Sequence, residues 1–133
     1  MNNALNLIGR LLIAALFLPA GLAKLSGFDG TVGYIESVGL PLPAVAAAAA
    51  LALEILGSVA LIVGFQTRIV AAVLAVFTLV ASIFFHAFWA AAPEQAFVQQ
   101  LLFFKNIGVI GGLLVLVSSG AGAWSIDAKK AAQ

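Results

Sequence analysis

Residues 69–89 read IVAAVLAVFTLVASIFFHAFW, an apolar run with no formal charge between Arg68 and His86. A helix of about 20 such residues matches the hydrocarbon thickness of a bilayer, and only helices and closed barrels satisfy their own backbone groups there. The stretch therefore reads as a membrane-spanning helix. On its N-terminal side, Gly64-Phe65-Gln66-Thr67-Arg68 makes a tight turn back to a second apolar segment, 43–65, which opens with Pro43 at a first-turn position. Further out lie a span at 5–25, interrupted by Pro19, and one at 97–117, which stops before Ser118, Ser119 and Gly120. The expected fold is all-α: an integral membrane four-helix bundle, one domain over 1–133, with spans at 5–25, 43–65, 69–89 and 97–117.

Composition points the same way. Charged residues make up 8% of the chain and hydrophobic ones 64%, whereas a soluble domain carries about a quarter charged residues. A net charge of +1 provides no basic surface to neutralise phosphates, so nucleic acid is not an expected partner. With no cysteine, disulfides, thiolate metal sites and thiol relay chemistry on this chain are excluded. Any redox role needs a bound cofactor or a partner. Residues 1–25 also share the outline of a secretory leader, with Arg10, an apolar run and the small residues Gly21 and Ala23; a retained first span is the preferred reading.

The connections differ in kind. The 26–42 loop is long, semi-polar and marked by Gly27, Gly30, Gly33, Gly39, Pro41 and Pro43. Within it, 31–38 is two helical turns presenting Val32, Ile35 and Val38, too short to span, and is expected as an interfacial helix in this first outer loop. With four spans, both termini and the 64–68 turn share a side, which collects Arg10, Arg68, Lys129 and Lys130 as topology anchors; the opposite end has Lys24 alone. The bias towards positive charge on the cytoplasmic side puts the termini in the cytoplasm of a bacterial inner membrane, and the long loop in the periplasm.

An ionisable side chain at bilayer depth is costly and usually faces the bundle interior with a partner. Lys24, Glu54, His86 and Lys105 qualify. At about 1.5 Å of rise per residue, Glu54 lies roughly 16 Å in from Pro43, Lys105 about 12 Å in from Phe97 and His86 about 5 Å in from Trp89, with Lys24 at the outer end. All four fall in the outer half, beneath the one loop long enough to cover them, which predicts a polar cavity opening outward. Helical phase agrees: Glu54 shares a face with Ala50, Gly57 and Ser58, His86 with Thr78 and Ser82, and Lys105 with Gly108 and Gly112. In the first span Arg10, Ala14, Phe17, Gly21 and Lys24 recur every three or four residues and define another inward stripe, and Gly108-x-x-x-Gly112 invites close approach of a neighbouring backbone.

Plainer readings stand beside these. Glu54 and Lys105 also suit a mutually neutralising pair that holds helix register. His86 beside Trp89 also suits the headgroup level, and Lys24 suits an outward snorkel. One His and scattered carboxylates fall below the three ligands of a catalytic zinc, so no metal is expected. Ser82, His86 and Glu54 lack the strand-turn-helix context of a nucleophile elbow.

Gly9-Arg10-Leu11-Leu12, the run from Pro19 to Leu25, Gly27-Phe28, Tyr34, Gly39-Leu40-Pro41, Glu54, Gly64-Phe65-x-Thr67-Arg68, His86-x-Phe88-Trp89, Phe104-Lys105-Asn106 and Gly120-x-Gly122 together resemble the DoxX family over nearly the whole chain. That family is similar to the small membrane subunit of thiosulfate:quinone oxidoreductase. The resemblance implies an inner-membrane protein whose activity, if redox, concerns a quinone or a partner enzyme. A quinone would suit an aromatic slot of Phe17, Phe84, Phe85, Phe88 and Phe103. Glu54, His86 and Lys105 would form the catalytic set, His86 or Lys105 donating to a quinone carbonyl and Glu54 handling protons. Lys24, Tyr34, Trp89 and Asn106 complete the substrate-contacting set. Two other classes remain open: a non-enzymatic scaffold that recruits a redox enzyme, and a small-solute transporter using the same buried charges, with homo-oligomerisation supplying the symmetry that the chain lacks internally.

Overall fold

The computed structural model describes residues 2–133. Four long helices run antiparallel: α1 (Asn3–Ser26), α3 (Pro43–Val63), α4 (Thr67–Phe85) and α5 (Pro93–Ser119), with short α2 (Phe28–Ser37) and α6 (Ile126–Ala131). Each of the four, α4 with its following turn, is long and apolar enough to cross a bilayer. The Asn2 side chain caps α1 by accepting from the amides of Ala4 and Leu5, and α1 continues through Pro19. α3 and α5 each start with proline in the first turn, where a missing N–H costs nothing. α4 ends at Phe85, so His86 sits just past the helix as its cap; a 3₁₀ turn, Phe88–Ala90, leads to α5.

α1 packs along α3, and α4 along α5; the two pairs meet through α3 and α4, while α1 and α5 touch only lightly. The large apolar side chains face outward, as with Leu12, Leu56, Val76 and Val115, each about two-thirds exposed, which is the arrangement lipid requires. Inside, the half of the bundle nearer the termini is filled by Phe17, Leu61, Ala71, Leu74, Ala75, Leu113 and Leu116. The chain is thus an integral membrane four-helix bundle with a short helix in its first long loop. That helix begins at Phe28, only Gly27 separating it from α1, and packs onto α3 with Ile35 buried.

α1 comes close to α3 at Gly21. A Cβ there would lie 2.7 Å from Ile55 Cγ1 and 3.0 Å from Glu54 Cβ, so hydrogen alone lets α1 and α3 touch. The Gly108-x-x-x-Gly112 reading is corrected. Nothing lies within 4 Å of a Cβ at Gly108, and at Gly112 the neighbour is a side chain, Ile13 at 3.7 Å, not a backbone. The spacing alone permits close packing, but the Gly112 side of α5 meets α1 only through the Ile13 side chain, and no backbone comes near.

Arg10 lies with Ala14, Phe17 and Gly21 on the buried face of α1, as the inward stripe of the first span predicts, and does more there than mark the terminal side. It is fully buried. Its Nε donates to Asn6 Oδ1, Nη1 to the carbonyls of Leu61 (2.8 Å) and Ile62 (3.0 Å), and Nη2 to Trp124 O at 2.7 Å. The guanidinium thereby closes the carbonyl end of α3, where the helix dipole favours a cation, and ties the C-terminal segment beneath the bundle. Gly64 adopts φ +69 and is approached by Ser125 and by Arg10 Nη1, so a side chain there is excluded twice over. Asp127 accepts from the amides of Gln66 (2.7 Å) and Thr67 (2.9 Å), capping α4. Burial alone would raise the Asp127 carboxyl, but the amides of Thr67 and Gln66 outweigh it and hold it below the usual aspartate range. Arg68 donates to Val117 and Ser118 carbonyls at the end of α5.

Candidate functional site

In the other half of the bundle, between the α1–α3 and α4–α5 pairs and under α2, lies a cavity of about 600 Å³. Residues three or four apart on each helix build its walls. From α1 come Phe17, Ala20 and Lys24; from α3, Ala50 and Glu54; from α4, Phe77, Thr78, Ala81 and Phe85, with His86 beyond; from α5, Lys105 and Asn106. α2 roofs it with Gly30, Thr31, Tyr34 and Ile35. The Tyr34 ring rests on Phe85, centroids 5.0 Å apart, which fastens the roof to the end of α4.

Glu54 is paired with Lys24, not with Lys105: Lys24 Nζ lies 2.9 Å from Oε2 and donates to Oε1 at 3.0 Å. Lys24 therefore turns inward instead of snorkelling. The pair lies beside the Gly21 contact between α1 and α3, which itself touches Glu54 Cβ. His86 Nδ1 is 2.9 Å from Gln99 Oε1. With Nδ1 protonated, Nε2 of the neutral ring is an acceptor; with the Gln99 amide turned over, Nε2 carries the proton and donates. Asn106 donates from Nδ2 to Ser82 Oγ at 2.9 Å, Ser82 to Thr78 O, and Thr78 to Leu74 O, a buried polar seam joining α4 to α5. Lys105 makes no hydrogen bond or ion pair with any described residue.

Six of the seven residues singled out from sequence, Lys24, Tyr34, Glu54, His86, Lys105 and Asn106, line this one cavity. Trp89 does not. It packs edge-on against Phe88 and Phe103 (5.2 and 5.5 Å) in a separate aromatic cluster with Phe104. Of the five phenylalanines expected in the slot, Phe17 and Phe85 line the cavity, while Phe84 is 43% exposed on the outer surface. Phe88 belongs to the Trp89 cluster because α4 stops at Phe85 and Phe88 falls on the 3₁₀ turn that follows, where Phe103 of α5 packs against it. Gln99 was not recognised from sequence; its signal is the seven-residue spacing to Asn106, two turns along the same face of α5. Among the described residues no group of three or more His, Cys, Asp or Glu is placed to hold a metal.

Four apolar spans around a largely apolar cavity that collects a few polar side chains define a small multi-pass membrane protein. The chain belongs to the DoxX family, whose model matches residues 5–87, from the first turn of α1 to Ala87, just past His86. It is 40% identical over 124 residues to inner membrane protein YqjF of Escherichia coli K12, covering 91% of this chain and 88% of that one. To inner membrane protein YphA of the same organism it is 34% identical over 121 residues, covering 91% and 86%. A shorter similarity, 35% over 71 residues, links it to a Surfeit locus protein 4 homolog of Schizosaccharomyces pombe, covering 52% of this chain and 24% of that protein. No solved structure matches it significantly.

Proposed function

We propose that the cavity binds a membrane-soluble ring compound of the quinone type, and that the chain serves as a quinone-linked subunit of a redox complex in the bacterial inner membrane. The observation that carries this is the convergence of Lys24, Glu54, His86, Lys105 and Asn106 on one largely apolar cavity of about 600 Å³, within the range of ligand pockets. The volume suits a two-ring head with the start of an isoprenoid tail. His86 or Lys105 donates to a quinone carbonyl, which becomes more basic as the ring is reduced. Two-electron reduction to the quinol takes up two protons, and Glu54, already held in a hydrogen-bonded ion pair, passes them at the ring. The electrons come from a partner redox enzyme, because the chain has no thiol of its own.

The names of the two Escherichia coli relatives support the inner membrane. Arg10, Arg68, Lys129 and Lys130 on the terminal side support a cytoplasmic orientation of both ends. Short-chain ubiquinone and menaquinone analogues added to the purified protein are expected to raise its melting temperature, and Glu54→Gln, His86→Ala and Lys105→Met to shrink that rise. Shifts that are equal in all variants, or that do not depend on the analogue, favour a scaffold in which the polar residues serve only structure.

A further inference from the structure

The charges facing the cavity do not balance. Lys24 and Glu54 neutralise one another, and theirs is the one ion pair among the described residues. Lys105 lines the same cavity and is left with no counter-charge: Asp29, Glu36 and Glu94 make no ion pair with it, and Asp127 lies at the far end of the bundle capping α4. Its position forbids the usual escape. Lys105 is the thirteenth residue of the 27-residue α5, about 12 Å in from Phe97, where the apolar span begins, by rise, too deep for its four-carbon stem to carry the ammonium to the bilayer edge. It is an exposed residue on the cavity wall. An ammonium at that depth is tolerated only with an anion or a water-filled space beside it. The cavity is that space, and its remaining lining is mostly apolar: Phe17, Ala20, Phe77, Ala81 and Phe85.

We infer that the natural occupant carries an acidic group, a carboxylate or an ionised enol or phenol, on an apolar body, and that its anion is met by Lys105. This rests on the cavity being a ligand site and narrows its substrate class. The buried Asn106 amide, next in sequence and on the same cavity wall, and the Thr31 and Tyr34 hydroxyls of the roof are the neutral groups available to the acid's remaining oxygens. A neutral quinone would leave the ammonium uncompensated; a hydroxyquinone anion, or the ring-phenolate stage of reduction, would not.

Two matched pairs test this on the purified full-length chain by titration calorimetry: 2-hydroxy-1,4-naphthoquinone against its 2-methoxy ether, and decanoate against methyl decanoate. The acid of at least one pair is expected to bind about tenfold or more tightly than its neutral partner. Lys105→Met should erase the preference and Lys105→Arg should keep it; because Lys105 makes no hydrogen bond or ion pair with any described residue, neither change removes one that holds the fold. Binding by decanoate but not by either naphthoquinone supports the acidic ligand and overturns the quinone reading. Equal binding within both pairs, or a preference that survives Lys105→Met, overturns the inference while leaving the cavity a ligand site. Binding of none of the four overturns both.

Discussion

The Lys24 ammonium on α1 and the Glu54 carboxylate on α3 sit 2.9 Å apart, with side chains 28% and 7% exposed respectively. The inequality makes the two single substitutions unequal. Lys24→Met strands a buried carboxylate and is expected to cost about 2 kcal/mol. Glu54→Gln leaves an amide that still accepts from Lys24 and an ammonium with access to the cavity, and is expected to cost less than about 1 kcal/mol. Thermal unfolding in detergent of both variants and of the double variant checks this. The double variant should recover much of the Lys24→Met loss.

Arg10 donates four hydrogen bonds from full burial. Arg10→Lys keeps the charge but cannot reach carbonyls of α3 and the C-terminal segment together, so it is expected to destabilise by about 3 kcal/mol. Unfolding midpoints decide the matter: an unchanged midpoint would restore Arg10 to a surface anchor.

Asp127 caps α4 from a different segment, and Asp127→Ala is expected to cost about 1 kcal/mol. Its carboxyl is held below the usual range. A depressed folded-state pKa stabilises fully above the unfolded value, about 3.9 for aspartate, and that stability is lost as pH falls through the folded value. The melting difference between wild type and variant should therefore be flat at neutral pH and close on acidification.

Gly21→Ala forces a methyl into Ile55 and the Glu54 Cβ and is expected to destabilise by about 1–3 kcal/mol. Gly108→Ala meets nothing within 4 Å and is expected to be neutral or to stabilise by up to about 1 kcal/mol through helix propensity. The pair separates backbone contact from glycine content, read again as unfolding midpoints.

Apolar run lengths alone mark the four helices in this sequence, because lipid imposes a length and a polarity that soluble packing does not. Depth was equally readable: Lys24, Glu54, His86 and Lys105 can be counted along their helices. What depth does not encode is azimuth and neighbour order. Glu54 and Lys105 lie at similar depths, yet Glu54 meets Lys24 because α1, not α5, packs along α3, a packing that Gly21 accommodates. For Arg10 the three-and-four spacing with Ala14, Phe17 and Gly21 already marks the inward face of the first span, while the cover that residues 120–127 bring back over it has no local pattern to announce it. Trp89 was misplaced because apolar character runs on past Phe85 while the helix does not.

The central claim is that the cavity beneath α2 holds a ring compound. Photolabelling the purified protein with an azido-naphthoquinone and mapping the modified residues by mass spectrometry tests it most directly. Labels are expected on cavity residues such as Tyr34, Phe85 and Phe17, competed away by unlabelled menaquinone analogue and weakened by Lys105→Met. Labels confined to lipid-facing residues such as Leu56, Val76 and Val115, insensitive to competitor, would contradict it.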